Sequence, residues 1–396
     1  MQVGSRGGRS LRFKLVAASV VLVLTLGGLE AFARVVGPSI PAYTDGPSGP
    51  DVVLLNGHPS RLWYTAPGVK STPNDGTAHI NRLGLRGDLP ADPKPAGVPR
   101  VLVVGDSSLF GHGVEDDETF PAQLGSSLAG LGHPAEVVNG GTPGYSTEQT
   151  RLFLDEMGWD LRPDLLVIGN LWSDNNFDSF QDADLLRTQK AFANPLASSA
   201  LYRMVASWAD VLRGGRGARI VSWTAGDQLP TEVGRRVPLA RYAENLDAMV
   251  REARARDIGV AFLALTNIDR IKDGTKDWSW EPYFAVQREV AAWHGLPIFD
   301  AQLVFVGASR DDPTDLFVDS MHPSALGHRL LGQFAARRLV AAGWPDKQRH
   351  LGKAEAFPGT QVIDNGAPNG PRPPSAQDAL FKDTSPPMPG LPPPTR

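Results

Sequence analysis

Through the middle of the chain, short apolar runs rich in β-branched residues alternate with stretches whose apolar positions recur every three to four residues. The short runs are Val101 to Val104, Glu136 to Val138, Leu165 to Ile168, Val260 to Leu265 and Leu296 to Phe299, and each predicts a strand. Between them, Phe120, Leu124 and Leu128 recur at i+4, while Leu239, Tyr242, Leu246, Met249 and Ala253 follow the helical period, as do Tyr283, Val286, Val290 and Trp293. Pro282 and Gly295 bracket that last helix as N1 and C′ residues. A closing helix is predicted from about Ser324 to Ala342, with Leu326, Leu330 and Phe334 on one face and Gly343 and Pro345 as its stop. This alternation predicts an α/β fold, a parallel sheet of about five strands covered by helices on both faces. Residues from about Asn176 to Pro238 break it and form no clean βα unit. A long insertion after a strand's carboxyl end is where active-site lids arise.

The ends read differently. Arg6, Arg9, Arg12 and Lys14 precede a charge-free apolar run, Leu15 to Leu29, and cationic flank before apolar segment is the mark of export with the N-terminus kept inside. The rest of the chain is therefore expected outside the cytoplasm. Two outcomes compete. Ala31-Phe32-Ala33 has the small-x-small form of a signal-peptidase site, which would give a secreted protein, whereas a helix continuing to Val36 reaches the roughly 20 residues a span requires. The uncleaved anchor is favoured because Glu30 and Arg34 then form an i,i+4 pair at the interface. The expected organisation is a signal anchor or signal peptide over 1–37, a stalk and irregular lead-in over 38–98, the catalytic domain over 99–345 with an insertion at about 176–238, and a Pro-rich disordered tail over 346–396.

Composition narrows the chemistry. The chain has 396 residues, 41% of them hydrophobic, so a sizeable core is expected, and its net charge of -4 suggests no nucleic-acid partner. It contains no cysteine, which removes disulfides, thiolate metal sites and a cysteine nucleophile.

In open parallel sheets the working groups collect where strands exit at their carboxyl ends. After the first strand comes Gly105-Asp106-Ser107-Ser108-Leu109, which sets a serine hydroxyl at a strand-to-helix turn among free backbone N–H groups. Such a serine can be a helix cap or a nucleophile. The second exit, Asn139-Gly140-Gly141-Thr142-Pro143-Gly144, offers backbone amides that could face an oxyanion, or is simply a glycine-rich turn. The third, Gly169-Asn170-Leu171-Trp172-Ser173-Asp174-Asn175-Asn176, carries several side-chain donors. A serine nucleophile needs a base. Of 8 histidines, His322 stands out in Asp319-Ser320-Met321-His322-Pro323, where a carboxylate three residues upstream can hold one ring nitrogen while the other faces the serine. His328 reads as structural, and His112 lacks an evident carboxylate partner.

In this order, the Gly-Asp-Ser block, the Asn-x-Gly-x-x-Gly block, the polar third block and the closing Asp-x-x-His-Pro resemble the SGNH/GDSL hydrolases over roughly Asn81 to Trp344. The lead-in Ile80 to Gly87 also looks like a segment of membrane-anchored bacterial members. The resemblance implies a three-layer flavodoxin-like fold. It makes Ser107 the nucleophile, His322 the general base and acid, Asp319 its orienter, and the Ser107 and Gly144 N–H groups the oxyanion donors. The third block departs from the pattern, because Ser173 stands where the family has its oxyanion-hole asparagine. A lost oxyanion donor costs about 3 kcal/mol in transition-state stabilisation, and Asn170 or Asn175 are the alternatives for that place. The implied activity is hydrolysis of ester bonds, O-acetyl esters foremost, on a small molecule or an acylated glycan of the bacterial cell envelope. O-acyl transfer to a glycan and a catalytically degenerate glycan-binding module are the alternatives. No cofactor motif or metal-ligand cluster is evident.

Overall fold

The five apolar runs become the strands β1 (Arg100–Gly105), β2 (Glu136–Gly141), β3 (Leu165–Gly169), β4 (Gly259–Ala264) and β5 (Ile298–Asp300). The structure is a computed structural model and describes residues 11–36, 54–58, 60–71, 76–178, 181–192, 199–212, 234–273, 280–308, 312–345 and 357–358. The strands lie in the order β5-β4-β3-β1-β2, and every neighbouring pair is parallel. Val101 to Val104 are wholly excluded from solvent, as expected of a strand covered on both faces. Each such side chain contributes about 1.5–3 kcal/mol relative to exposure.

The labelled helices are α1 (Leu11–Val36), α2 (Ser107–Phe110), α3 (Phe120–Gly130), α4 (Thr147–Phe153), α5 (Trp172–Asn175), α6 (Leu239–Arg254), α7 (Glu281–His294) and α8 (Ala325–Ala341). The crossover from β1 to β2 runs one way across the sheet and those from β2 to β3, β4 and β5 run the other. Right-handed crossovers therefore set α3 against one face and α4, α6 and α7 against the opposite one. Packing agrees, since α8 returns to lie on α3 while α6 packs on α7 and α4. The direction reverses between β1 and β3, the place where open α/β sheets carry their ligand sites beyond the strands' carboxyl ends. The fold is a three-layer α/β arrangement, a five-stranded parallel sheet between two layers of helices.

Several expectations shift in detail. The innermost face of α8 carries Gly327, His328, Leu331, Gly332 and Ala335, while Leu326, Leu330 and Phe334 are half-buried at its margin. Close approach of α3 selects small residues there, so the largest apolar side chains mark the rim of the contact. The lead-in expected as a stalk contributes Leu62, Trp63, Ala78, Ile80 and Leu85 to the same buried cluster as the sheet. Scattered among glycine and proline, these residues show no period. A strand Leu54–His58 pairs there with Leu62–Thr65.

The insertion is closed at its base by antiparallel pairing of Phe177–Asp178 with Gly234–Arg235 and holds helices Asp182–Phe192 and Ala200–Leu212. Just past that stem the buried Arg236 guanidinium donates to both oxygens of Asp182, Nε at 2.9 Å and Nη2 at 2.7 Å. Of the tail expected to be disordered, all but Phe357 and Pro358 lie outside the described residues. The Phe357 N–H donates to Asp247 at 2.8 Å and its ring meets Trp293 edge-on. At the other end, α1 includes a 24-residue stretch, Phe13–Val36, of mean hydropathy 2.1, long and apolar enough to cross a membrane and consistent with a signal peptide or an anchor.

Candidate active site

Ser107 opens α2 immediately beyond β1. Asp106, in extended conformation, caps that single turn by accepting from the Ser108 N–H at 3.0 Å, and Gly111 in the left-handed region closes it. The other Asp106 oxygen accepts from Trp172 N–H at 3.1 Å and Leu171 N–H at 3.4 Å, tying the β1 exit to the β3 exit. Burial raises the Asp106 carboxyl above its usual range, and those backbone donors oppose the rise.

The last block folds back to meet this turn. Val318 N–H donates to the His322 carbonyl at 2.9 Å, and Phe317 bridges Pro323. Ser324 then caps α8 by accepting from Gly327 N–H at 3.2 Å. Within the loop one Asp319 oxygen accepts from both the Met321 and His322 N–H groups at 2.8 Å, and the other lies 2.6 Å from His322 Nδ1. His322 Nε2 is 2.7 Å from Ser107 Oγ. The chain Ser107–His322–Asp319 is thus continuous, with Ser107 5% and His322 2% exposed. Burial works to raise the Asp319 carboxyl, but the adjacent His322 and the two backbone donors outweigh it and hold it well below the carboxylate range.

His112 completes the surroundings. Its ring lies 4.6 Å from that of His322, centre to centre, and burial, with the charge of His322 adding, lowers its pKa to about 3. It is therefore neutral across the physiological range. His112, Asp319 and His322 bring their ligand atoms within 4.8 Å of one another, the grouping among the described residues that could hold a metal ion. A cation there would compete for the His322 nitrogens already facing Ser107 and Asp319.

At the β2 exit, Gly141 and Gly144 are required by geometry. A Cβ on Gly141 would stand 2.4 Å from Phe110 N, so glycine lets α2 lie across the sheet edge, and Gly144 has φ of 78° with the Trp63 ring beneath it. Trp63 Nε1 donates to Pro143 O at 3.0 Å and Tyr145 Oη to Trp63 O at 2.8 Å. The N–H groups of Ser107 and Gly144 have no acceptor among the described residues.

Most polar groups of the β3 exit are committed elsewhere, although Asn170 Oδ1 is buried with no hydrogen-bond partner among the described residues. Asn170 Nδ2 donates to Tyr145 O at 3.2 Å and Thr150 Oγ1 at 3.0 Å. Asn175 Oδ1 accepts from the Arg235 guanidinium. Asp174 accepts from the Thr147 N–H at 2.9 Å and hydroxyl at 2.5 Å, anchoring the start of α4, and burial pushes its carboxyl well upward. Ser173 is buried between them.

Two contributors escape motif reading. The buried Arg86 donates to the carbonyls of Phe110, Gly111, Val114 and Thr77 and to Asp116 at 2.7 Å, holding the end of the turn that begins at Ser107. Trp63 supports the Gly144 loop. An arginine following Leu83 and Leu85, and a tryptophan inside the short run Leu62-Trp63-Tyr64, were the available signals.

The model of the GDSL-like Lipase/Acylhydrolase family matches residues 193–330, a span that includes Asp319 and His322 and begins beyond Ser107. No curated protein matches the chain. Among solved structures, it is similar to a lipase/acylhydrolase from Enterococcus faecalis, 18% identical over 62% of this chain and 97% of that one with TM-score 0.41. It is also similar to an acetylxylan esterase from Geobacillus stearothermophilus, 16% identical over 61% and 94% with TM-score 0.41.

Proposed function

We propose, from the premise that this chain belongs to the GDSL-like lipase/acylhydrolase (SGNH) family, that it is a membrane-anchored esterase whose catalytic domain works outside the cytoplasm through Ser107, His322 and Asp319. The observation that carries the reading is the unbroken hydrogen-bonded chain from Ser107 Oγ through His322 to Asp319, at 2.7 and 2.6 Å. Ser107 Oγ attacks the ester carbonyl while His322 Nε2 takes its proton. Asp319, kept ionised by its own donors, holds Nδ1–H and stabilises the imidazolium. The oxyanion faces the Ser107 and Gly144 N–H groups, with the Ser173 hydroxyl as a shorter third donor. His322 returns the proton to the departing alcohol, and water activated by the same nitrogen releases the acid.

The low exposure of Ser107 favours a short acyl group, and acetyl esters are the substrates to try first. The test is turnover of an activated acetyl ester by the wild type, with and without an added glycan acceptor, together with labelling by a fluorophosphonate. Acid release that the acceptor leaves unchanged, with labelling lost in Ser107→Ala, is the expected result. Acyl transfer to the glycan would make the protein an O-acyltransferase. Absence of both turnover and labelling would leave a binding module.

A further inference from the structure

Glu30, near the end of α1, accepts hydrogen bonds from Ser199 Oγ at 2.7 Å, Ala200 N–H at 2.9 Å and Leu201 N–H at 3.0 Å. It thereby caps, from a distant part of the chain, the helix Ala200–Leu212 of the insertion. Arg34 Nε donates to the same carboxylate at 3.0 Å, and Ala33 next to it is buried while Phe13 to Leu29 are exposed. The capped helix shows an apolar stripe: Val205, Trp208 and Leu212, spaced three and four residues apart, are 54%, 63% and 87% exposed. So much uncovered apolar surface on one short helix marks an interaction face.

The position of the stripe identifies its occupant. The charge-free run Leu15 to Leu29 spans about 22 Å at 1.5 Å per residue, and with flanking residues it approaches the roughly 30 Å hydrocarbon core. Glu30 and Arg34 then stand at headgroup level, where charged pairs are tolerated, and Glu30 fixes the start of helix Ala200–Leu212 at that same level. Tryptophan favours this layer, and an amphipathic helix lies in it with its apolar stripe turned to the acyl chains.

We propose that helix Ala200–Leu212 is an interfacial helix, seated on the lipid bilayer beside α1 with Val205, Trp208 and Leu212 in the lipid and Glu30 as its tether. The inference rests on the reading that α1 is retained as a membrane anchor. It adds that the insertion beside the active site is itself a membrane-binding element.

The chain has no cysteine, so single-cysteine variants of the full-length protein can carry a fluorophore without background. Val23→Cys, Trp208→Cys and, as reference, the exposed Ala129→Cys are each labelled and reconstituted in phosphatidylcholine/phosphatidylglycerol vesicles containing nitroxide lipids. Expected is loss of emission at Val23 with deep nitroxides and at Trp208 with shallow ones, beyond any loss at Ala129. Adding Glu30→Gln should reduce the loss at Trp208 and leave that at Val23 unchanged. A Trp208 probe quenched no more than Ala129 overturns the proposal. If Val23 is quenched in that case, the anchor stands and only the interfacial helix fails; if it is not, both fall. Quenching at Trp208 without quenching at Val23 would refute the anchor and, with it, the tethering of this helix through Glu30, and so would overturn the proposal as stated.

Discussion

The exits of β1 and β3 are adjacent, end in the paired residues Gly105 and Gly169, and each lead into a single buried turn of helix rich in polar side chains. They differ in where those polar atoms are bonded. At the β1 exit, Asp106 takes up the structural bonds to Ser108, Leu171 and Trp172, leaving Ser107 to meet His322. At the β3 exit Asn170, Asp174 and Asn175 each carry such bonds, to Tyr145 and Thr150, to Thr147, and to Arg235. Most buried polar groups are partnered, so at these strand exits a residue that satisfies the scaffold is withdrawn from chemistry. The division of labour between Asp106 and Ser107 keeps a hydroxyl available.

The largest expected effects break the β1 side of this comparison. Ser107→Ala and His322→Ala should each lower kcat on an activated acetyl ester by about 10³-fold or more, with circular dichroism and melting temperature close to wild type. Substantial residual turnover in Ser107→Ala would place the nucleophile elsewhere. Asp319→Asn should cost as much or less, roughly 10²- to 10⁴-fold in kcat, because it acts only through the imidazole.

Much of this arrangement is legible in the sequence where it is local. The sheet strands are buried runs bounded by turn residues, and Asp319 with His322 sit within one short loop. What escapes is long-range: Asn175 is bonded to Arg235, 60 residues away, and the Asn170 carbonyl accepts from Tyr242 Oη, 72 residues away. The third block therefore reads as a set of equivalent donors until distant partners claim them. Arg86 and Trp63 are hidden for a related reason, since a lead-in without period gives no hint that it packs into the core. The Ser107–His322 pairing is also distant, yet it is legible because the chemistry of a serine nucleophile demands a base.

A histidine without partners gives the next effect, on stability. Neither ring nitrogen of the buried His328 has a hydrogen-bond partner among the described residues, in contrast to His322, and burial first, then the charges of Arg86 and His322, lowers its pKa to about 3. The unfolded chain takes up this proton below about pH 6.5 whereas the native state refuses it until about pH 3, so stability falls as pH drops through that window. The contribution is on the order of a few kcal/mol. His328→Leu should flatten this acid loss, read as urea-unfolding free energies at pH 7 and pH 5. An unchanged difference between the two pH values would assign the loss to other groups.

The smallest expected effect sharpens the comparison at its least settled point, the third oxyanion donor. If Ser173 fills the asparagine's place, Ser173→Ala should lower the acylation rate modestly, by less than the roughly 10²-fold that loss of a principal donor brings, because the Ser107 and Gly144 N–H groups remain. Ser173→Asn, restoring the longer amide, should preserve or raise that rate. Asn170→Ala should act differently. Its amide is held by Tyr145 O and Thr150 Oγ1, so the variant should lose about 1–3 kcal/mol of stability from the buried groups left unpaired while acylation per folded molecule changes little. Asn175→Ala should likewise act through its bond to Arg235. Stopped-flow acylation with one activated ester, paired with urea melts of the same four variants, separates rate from stability. A loss near 10²-fold in Asn170→Ala or Asn175→Ala at unchanged stability would mean that a scaffold bond is given up when substrate binds, and the contrast between the two strand exits would then hold only for the substrate-free protein.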